Sequence, residues 1–289
     1  MLKVLIVAPL LQSGLAFSSY STRLALGWGR PWLASSRTQI MAAASTQSTT
    51  STSSKDDKEI IFVRHSITYM NEYLGRSLSF GAPGFTDVFS DKERTTKYQD
   101  TPLSPNGIRL VERQLARQRP DFCDENVELV VVSPLRRALQ TYDLGLRHHL
   151  PDTLPVVALP HAAERLYLIS DVGSTVPALE KEFPYVDFAE IADRQTPWWW
   201  RPQKSAYTEW RPVGRGQRYA CAAEPATDFD ARMQRLQEWL KGRPEKKIVV
   251  VSHHGVIDWL TDMDFDNCQW RSVSLERIIS SRRMVGREE

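Results

Sequence analysis

Ile60-Ile61-Phe62-Val63 runs without a break into Arg64-His65-Ser66, and this short stretch decides the fold. A brief apolar run rich in β-branched residues suits a strand buried on both faces, as in a parallel sheet covered by helices on either side. The device recurs. Leu129-Val130-Val131-Val132 runs into Ser133-Pro134-Leu135-Arg136-Arg137, and Ile248-Val249-Val250-Val251 runs into Ser252-His253-His254-Gly255. In open α/β sheets a ligand lies beyond the carboxyl ends of the strands. Three strand ends then bring two arginines and one or two histidines to a common edge. Those side chains suit a phosphate site with a nucleophile in it.

The chain carries a more specific pattern at the same places. Arg64-His65-Ser66-Ile67-Thr68-Tyr69-Met70-Asn71 resembles the Arg-His-Gly-x-Thr-x-x-Asn signature of the histidine phosphatase superfamily, also called phosphoglycerate mutase-like. Ser133-Pro134-Leu135-Arg136-Arg137-Ala138-Leu139-Gln140-Thr141 is similar to that family's second motif, and Ser252-His253 with a small-residue turn is similar to its third. Asp100-Thr101-Pro102-Leu103-Ser104-Pro105-Asn106-Gly107 also matches a family element. The resemblance spans about residues 60 to 275, with the blocks in the family's order and spacing. It implies a three-layer α/β/α domain around a mostly parallel central sheet, over residues 56–289.

The resemblance also implies roles. His65 is the expected nucleophile, forming a phosphohistidine that splits one hard step into two. Arg64 and Arg137 bind the phosphoryl oxygens, Arg137 being the arginine that matches by register, and Asn71 joins this phosphate-binding set. His253 donates a hydrogen bond to an equatorial oxygen and is counted as both catalytic and phosphate-binding. The proton donor to the leaving group is expected on the loop after a strand at Leu154 to Leu159, with Glu164 preferred and Asp171 as runner-up. No metal or other cofactor is expected, because these side chains already neutralise the phosphate. Ser66 departs from the family's glycine, as does His254. The chain lacks the Glu-Arg-His-Tyr-Gly and Gly-Trp-x-Asp sequences of cofactor-dependent mutases, and the Arg-His-Gly-x-Arg-x-Pro form of phytases. A phosphatase of a small phosphorylated metabolite is therefore the leading expectation. A mutase and a non-catalytic binder of a phosphorylated ligand or protein are the alternatives.

Composition sets the outer limits. The chain has 289 residues, with 37 Lys and Arg against 35 Asp and Glu, a net charge of +2 that suggests no nucleic-acid partner. Residues 1–55 hold five basic residues (Lys3, Arg23, Arg30, Arg37, Lys55) and no acidic one, so the remainder is net −3. A positive pocket can sit in an acidic body, since steering follows the local field. Cys123, Cys221 and Cys268 show neither a disulfide framework nor a metal pattern.

Residues 1–55 read as an address. Lys3, the apolar stretch Val4 to Leu11 and the small residues Ser13-Gly14-Leu15-Ala16 have the form of a signal peptide, too short to span a membrane. The acid-free, Ser- and Arg-bearing sequence that follows has the form of a transit peptide. Ala16-Phe17 resembles the junction of algal two-part presequences, which implies plastid import. Secretion, mitochondrial import, or a cytoplasmic enzyme started at Met41 are the alternatives.

Several features have plain structural readings. Ser104 suits an N-cap with Pro105 at the first helical position, and the same grammar is expected at Ser133-Pro134. Leu103, Val111 and Leu115 should share a buried face. Phe229, Met233, Leu236 and Leu240 form the core stripe of a helix from Asp228 to Leu240. Glu72 to Gln99 reads as a long loop. Arg136 reads as a solvated or supporting charge, and His148-His149 as the dipole complement of a helix end. Pro177 to Val213 is an insertion whose Trp198-Trp199-Trp200, with Arg201, Lys204 and Arg211, either packs on the body or forms a lid. The sequence does not identify the substrate or the oligomeric state.

Overall fold

The structure, a computed structural model, describes residues 58–75, 97–166, 168–191 and 224–280. The leader, most of the loop at 72–99, the tryptophan cluster of the insertion and Cys221 lie outside the described residues. One sheet organises the rest. Its strands are β1 (Glu59–Arg64), β2 (Leu129–Val132), β3 (Val156–Ala158), β4 (Lys247–Ser252) and β5 (Trp270–Ser274), in spatial order β3-β2-β4-β1-β5. The first four are parallel, and β5 runs antiparallel along the edge of β1.

Period-two alternation sends each strand's side chains to opposite layers. Ile61, Val63, Val130, Val132, Val249 and Val251 face one cluster. There they meet α2 (Pro105–Val111), α3 (Arg136–Gly145) and α4 (Val176–Glu182). Ile60, Phe62, Leu129, Val131, Ile248 and Val250 face the other, against α5 (Ala226–Gly242), α6 (His254–Thr261) and α7 (Leu275–Ser280). Each such residue contributes about 1.5–3 kcal/mol by leaving water. The unbroken apolar runs follow from this arrangement, because a strand covered on both faces has no polar side to show.

The helices start largely as their sequences suggest. Ser104 caps α2 by accepting from the Gly107 N–H at 3.1 Å, and Pro105 takes the first position. Leu103, Val111 and Leu115 are buried in the same cluster. The Phe229, Met233, Leu236 and Leu240 stripe is buried along α5.

Three expectations need correction. The residues after Asn71 do not leave at once into a loop, since α1 (Tyr69–Leu74) carries Glu72 and Tyr73. The strand expected at 154–159 pairs only over Val156–Ala158. Pro177, where the insertion is expected to begin, lies in the first turn of α4. Ser133 does not cap α3, which begins two residues past Pro134, at Arg136. The Ser133 hydroxyl is engaged with His253 at 2.7 Å, and a distant carboxylate replaces it: Asp100 Oδ1 accepts from the Arg136 N–H at 2.8 Å. The edge strand β5 carries no hydrophobic signal because only Val273 in it is buried.

The turn after β1 is pinned to the start of α2. The Ser104 N–H donates to the Ile67 carbonyl at 3.0 Å, and the Ser66 hydroxyl donates to the Gly107 carbonyl at 2.8 Å. Gly107 permits this approach, since a Cβ there would stand 1.9 Å from the Ile67 oxygen. Gly107→Ala should therefore destabilise the protein by at least ~1–3 kcal/mol, the usual cost of overpacking. Urea unfolding measures this as a lowered midpoint at constant slope. An unchanged midpoint would mean that the turn is loosely held.

Candidate active site

Strand register fixes the level at which the functional residues emerge. Arg64 lies opposite Ser252, and Val132 opposite Val251, so β2, β4 and β1 end together. His65, Ser133 and His253 are the residues that leave this rim. All three are buried.

His65 has a defined tautomer. Its Nδ1 lies 2.7 Å from the Ser66 carbonyl oxygen, which can only accept, so Nδ1 carries the proton. Nε2 is left with its lone pair. Burial pushes the imidazole well below its ordinary pKa, and the Arg137 and Arg64 guanidiniums push it further in the same direction. Both effects favour the neutral ring.

His253 stacks obliquely beside it, with ring centroids 5.0 Å apart. Arg137 Nε donates to His253 Nδ1 at 3.2 Å, which requires an unprotonated Nδ1 and puts the proton of the neutral ring on Nε2. Nε2 in turn sits 2.7 Å from the Ser133 hydroxyl. Burial and Arg137 hold the His253 pKa well below its ordinary value too.

The two arginines differ in their attachments. Arg137 gives Nε to His253, one Nη to the Ser170 carbonyl at 2.7 Å and the other to Asp171 Oδ1 at 2.9 Å. Three of its five N–H groups are used in these contacts. Arg64 gives an Nη to the Phe265 carbonyl, while its buried Nε has no hydrogen-bond partner among the described residues. A buried donor in that condition is costly unless a ligand supplies the acceptor.

Glu164 and Asp171 separate cleanly. Asp171 is paired with Arg137 on one oxygen and accepts the Leu168 N–H at 2.9 Å on the other. It holds Arg137 in place. Glu164 Oε1 accepts the Arg165 N–H at 2.9 Å and Oε2 the Gly255 N–H at 3.2 Å, in the first turn of α6 beside His253. Burial raises its pKa, with the nearby charge of Asp171 adding to the shift and Arg137 opposing it.

The remaining expectations find structural roles. Asn71 lies in α1 and caps it: its Oδ1 accepts the Thr68 N–H at 3.0 Å, and its own N–H donates to Thr68 Oγ1. What the structure gives Asn71 is therefore the anchoring of the turn after His65. Ser66, in the place of a glycine, is accommodated by donating its N–H to Thr141 Oγ1 and its hydroxyl to Gly107. Arg136 pairs with Glu182 at 3.0 Å, and His254 Nδ1 lies 3.3 Å from Asp264. His148 and His149 do serve a helix end, though of a neighbour: both donate to the Ala116 carbonyl, where a π turn extends α2. Cys123 and Cys268 are buried free thiols. Among the described residues no cluster of three or more His, Cys, Asp or Glu side chains is placed to hold a metal, and no helix is long and apolar enough to cross a membrane.

Sequence reading missed the roles of Ser133, Asp100, Glu224 and Arg232. Ser133 lay within a quoted motif. Asp100 opened another, but its partner lies 36 residues away; Glu224 and Arg232 act on partners far along the chain and leave no local pattern.

The neutral imidazoles make stability pH-dependent. Above about pH 6.5 they are uncharged in both the folded and unfolded chains, and the stabilisation is fully present. As pH falls toward the lower folded values, the unfolded chain binds protons that the native one refuses, at up to ~1.4 kcal/mol per pH unit for each group. Glu164, raised in the fold, has the opposite slope. A comparison with His253→Asn isolates one imidazole: the variant should lose less stability than the parent between pH 7.5 and 5.5 in urea unfolding. Equal losses would mean that His253 titrates freely.

Comparison with known proteins is consistent with this geometry. The histidine phosphatase superfamily (branch 1) matches residues 60–277. A Schizosaccharomyces pombe protein named as a probable phosphatase is 30% identical over 135 residues, which cover 46% of this chain and 52% of that one. "Phosphomutase-like protein 3" of Candida albicans is 26% identical over 181 residues, covering 57% of this chain and 47% of its own. The chain thus spans about half the length of the curated relatives it matches. Among solved structures, a mycobacterial glucosyl-3-phosphoglycerate phosphatase aligns over 75% of this chain and 90% of its own, at 20% identity and a TM-score of 0.41. The α-ribazole phosphatase of Shigella flexneri aligns over 74% and 89%, at 22% identity and a TM-score of 0.39. The family match runs from the first residues of β1 into α7 and takes in every strand and all the site residues described above, and on it the chain belongs to the histidine phosphatase superfamily.

Proposed function

We propose that this protein hydrolyses a small phosphomonoester through a phosphohistidine on His65, without a metal. The observation that carries the reading is the imidazole itself. Its Nδ1 proton is fixed by the Ser66 carbonyl, and it is kept neutral beneath two arginines with Nε2 as the remaining base. Attack by Nε2 forms a nitrogen–phosphorus bond as the ester phosphorus–oxygen bond breaks. Arg137 and Arg64 offer N–H groups to the non-bridging oxygens, where charge must be balanced in transfer. His253 joins them once its Nε2–H exchanges Ser133 for the substrate.

Glu164 supplies the proton to the departing oxygen. A carboxyl whose pKa is raised by burial keeps its proton nearer to neutral pH, as a general acid requires. Once ionised, it takes a proton from the water that attacks phosphorus. The nitrogen–phosphorus bond then breaks, inorganic phosphate leaves and His65 is restored. The name of the Candida relative favours a second reading, in which the phosphoryl group returns to a substrate hydroxyl. Release of inorganic phosphate in step with loss of ester separates the two.

Full-length protein assayed on a panel of phosphoesters should release phosphate equally with and without a chelator. His65→Ala should lower the rate on the order of 10⁴-fold or more. Undiminished release by the variant would remove His65 from the chemistry. No release from any ester, with phosphate compounds still bound, would turn the reading toward a mutase or a binding protein.

A further inference from the structure

Arg232 lies on α5, some 70 residues along the chain from the segment 161–166 that carries Glu164, yet it is built into that segment. Its guanidinium has five N–H groups, and the structure gives it five contacts. Nε donates to Glu224 Oε1 at 2.8 Å. One Nη donates to the carbonyls of His161 and Ala163 at 2.9 and 2.7 Å. The other donates to the Glu164 carbonyl at 3.3 Å and to Glu224 Oε2 at 2.7 Å.

Glu224 completes the grip. Its N–H donates to the Leu166 carbonyl at 2.9 Å, its Oε2 accepts the Leu166 N–H at 3.3 Å, and its own carbonyl accepts Arg165 Nε at 2.8 Å. Only 12% of the Arg232 side chain and 1% of the Glu224 side chain reach solvent. A pair this buried costs desolvation, and replacing such pairs by apolar residues is often harmless to stability. Its placement therefore calls for a reason other than holding the fold together.

We infer that the Arg232–Glu224 pair positions the general acid, fixing the backbone of residues 161–166 so that the Glu164 carboxyl meets the leaving oxygen. The inference rests on the reading of Glu164 as that acid. Arg232 takes no direct part in the chemistry, because all five of its donors are committed and it has none for a phosphate. The far side of the carboxyl is equally confined. A Cβ on Gly255 would lie 2.4 Å from Glu164 Oε1, so the strand–helix junction that delivers His253 also bounds the acid. A carboxyl clamped from the backbone side and walled by Gly255 has little freedom. Displacements of about 1 Å in such groups can cost 10²-fold in rate.

The test exploits leaving-group basicity. The 4-nitrophenolate of 4-nitrophenyl phosphate departs without a proton, whereas phenolate from phenyl phosphate needs one, and the two esters have nearly the same shape. Full-length protein is assayed on both, and the ratio of the two kcat/KM values reports the transfer to His65 and not the hydrolysis of the intermediate common to both esters, and is independent of how much of the sample is folded. Glu164→Gln should depress phenyl phosphate turnover ~10²-fold more than 4-nitrophenyl phosphate turnover, the low end for general acids. Arg232→Lys keeps a positive charge against Glu224 but cannot span the three carbonyls. It should show the same selective loss, ~10-fold, in proportion to a partial displacement. Glu224→Gln should do likewise, and in the Glu164→Gln background Arg232→Lys should add no further selectivity. Equal loss on both esters in Arg232→Lys and Glu224→Gln, or a selective loss that multiplies onto that of Glu164→Gln, would overturn the inference while leaving the acid assignment intact. A Glu164→Gln enzyme with the parent's ratio would overturn the acid assignment, and the inference with it.

Discussion

A guanidinium almost fully removed from water must be matched by negative charge or by oriented carbonyls, and Arg137 is the place where this molecule meets that demand. Asp171 and the Ser170 carbonyl hold its two Nη groups from one side. Its Nε is thereby aimed at His253 Nδ1, and this contact sets the tautomer of the second imidazole. The charge on Arg137 also reaches His65, where it works with burial to keep the ring neutral. One buried cation thus orients one histidine, adds to burial in keeping both neutral and keeps two N–H groups outside these contacts. Remove it and Asp171 becomes an uncompensated buried carboxylate. The site is a connected electrostatic unit, and its members have no independent contributions.

That unit can be held so closely because the sheet beneath it has no freedom of register. Both faces of β1, β2 and β4 are covered, and a slip of one residue would exchange the contents of the two layers. The last residues of the three strands therefore stay level. α3 brings Arg137 in from one layer, and the turn into α6 brings His253 from the strand between β1 and β2. The Arg137–His253 contact joins residues 116 positions apart, fixed from below by strand pairing.

This explains what could be read in advance. The runs at 60–63, 129–132 and 248–251 announce themselves because two-sided burial excludes polar residues, and each run stops where functional polarity begins. His65, Arg64, Arg137, His253 and Glu164 were legible because they stand directly at those stops or in ordered motifs. β5 was not, since four of its five residues are at least partly exposed and no pattern marks an edge strand of that kind. Nor was the capping of α3 by Asp100, which holds a left-handed backbone (φ 42°) to reach a helix 36 residues away. Asn71 has a local role that its motif does not announce, the capping of α1 through Thr68.

Counting donors sorts the arginines, and counting partners sorts the carboxyls. Arg232 spends five N–H groups on protein, so it can only shape what surrounds it; Arg137 spends three and keeps two. Asp171 faces a guanidinium at 2.9 Å, so its negative charge is matched at all times. Among the described residues Glu164 accepts hydrogen bonds from backbone N–H groups, in a buried setting that favours its neutral form. A proton that must be given up at one step and recovered at the next is best carried by the carboxyl whose charge is not permanently compensated. Two carboxyls of nearly equal intrinsic acidity, a few residues apart in sequence, are in this way set in different surroundings, one holding a cation and the other, in the proposed function, moving a proton.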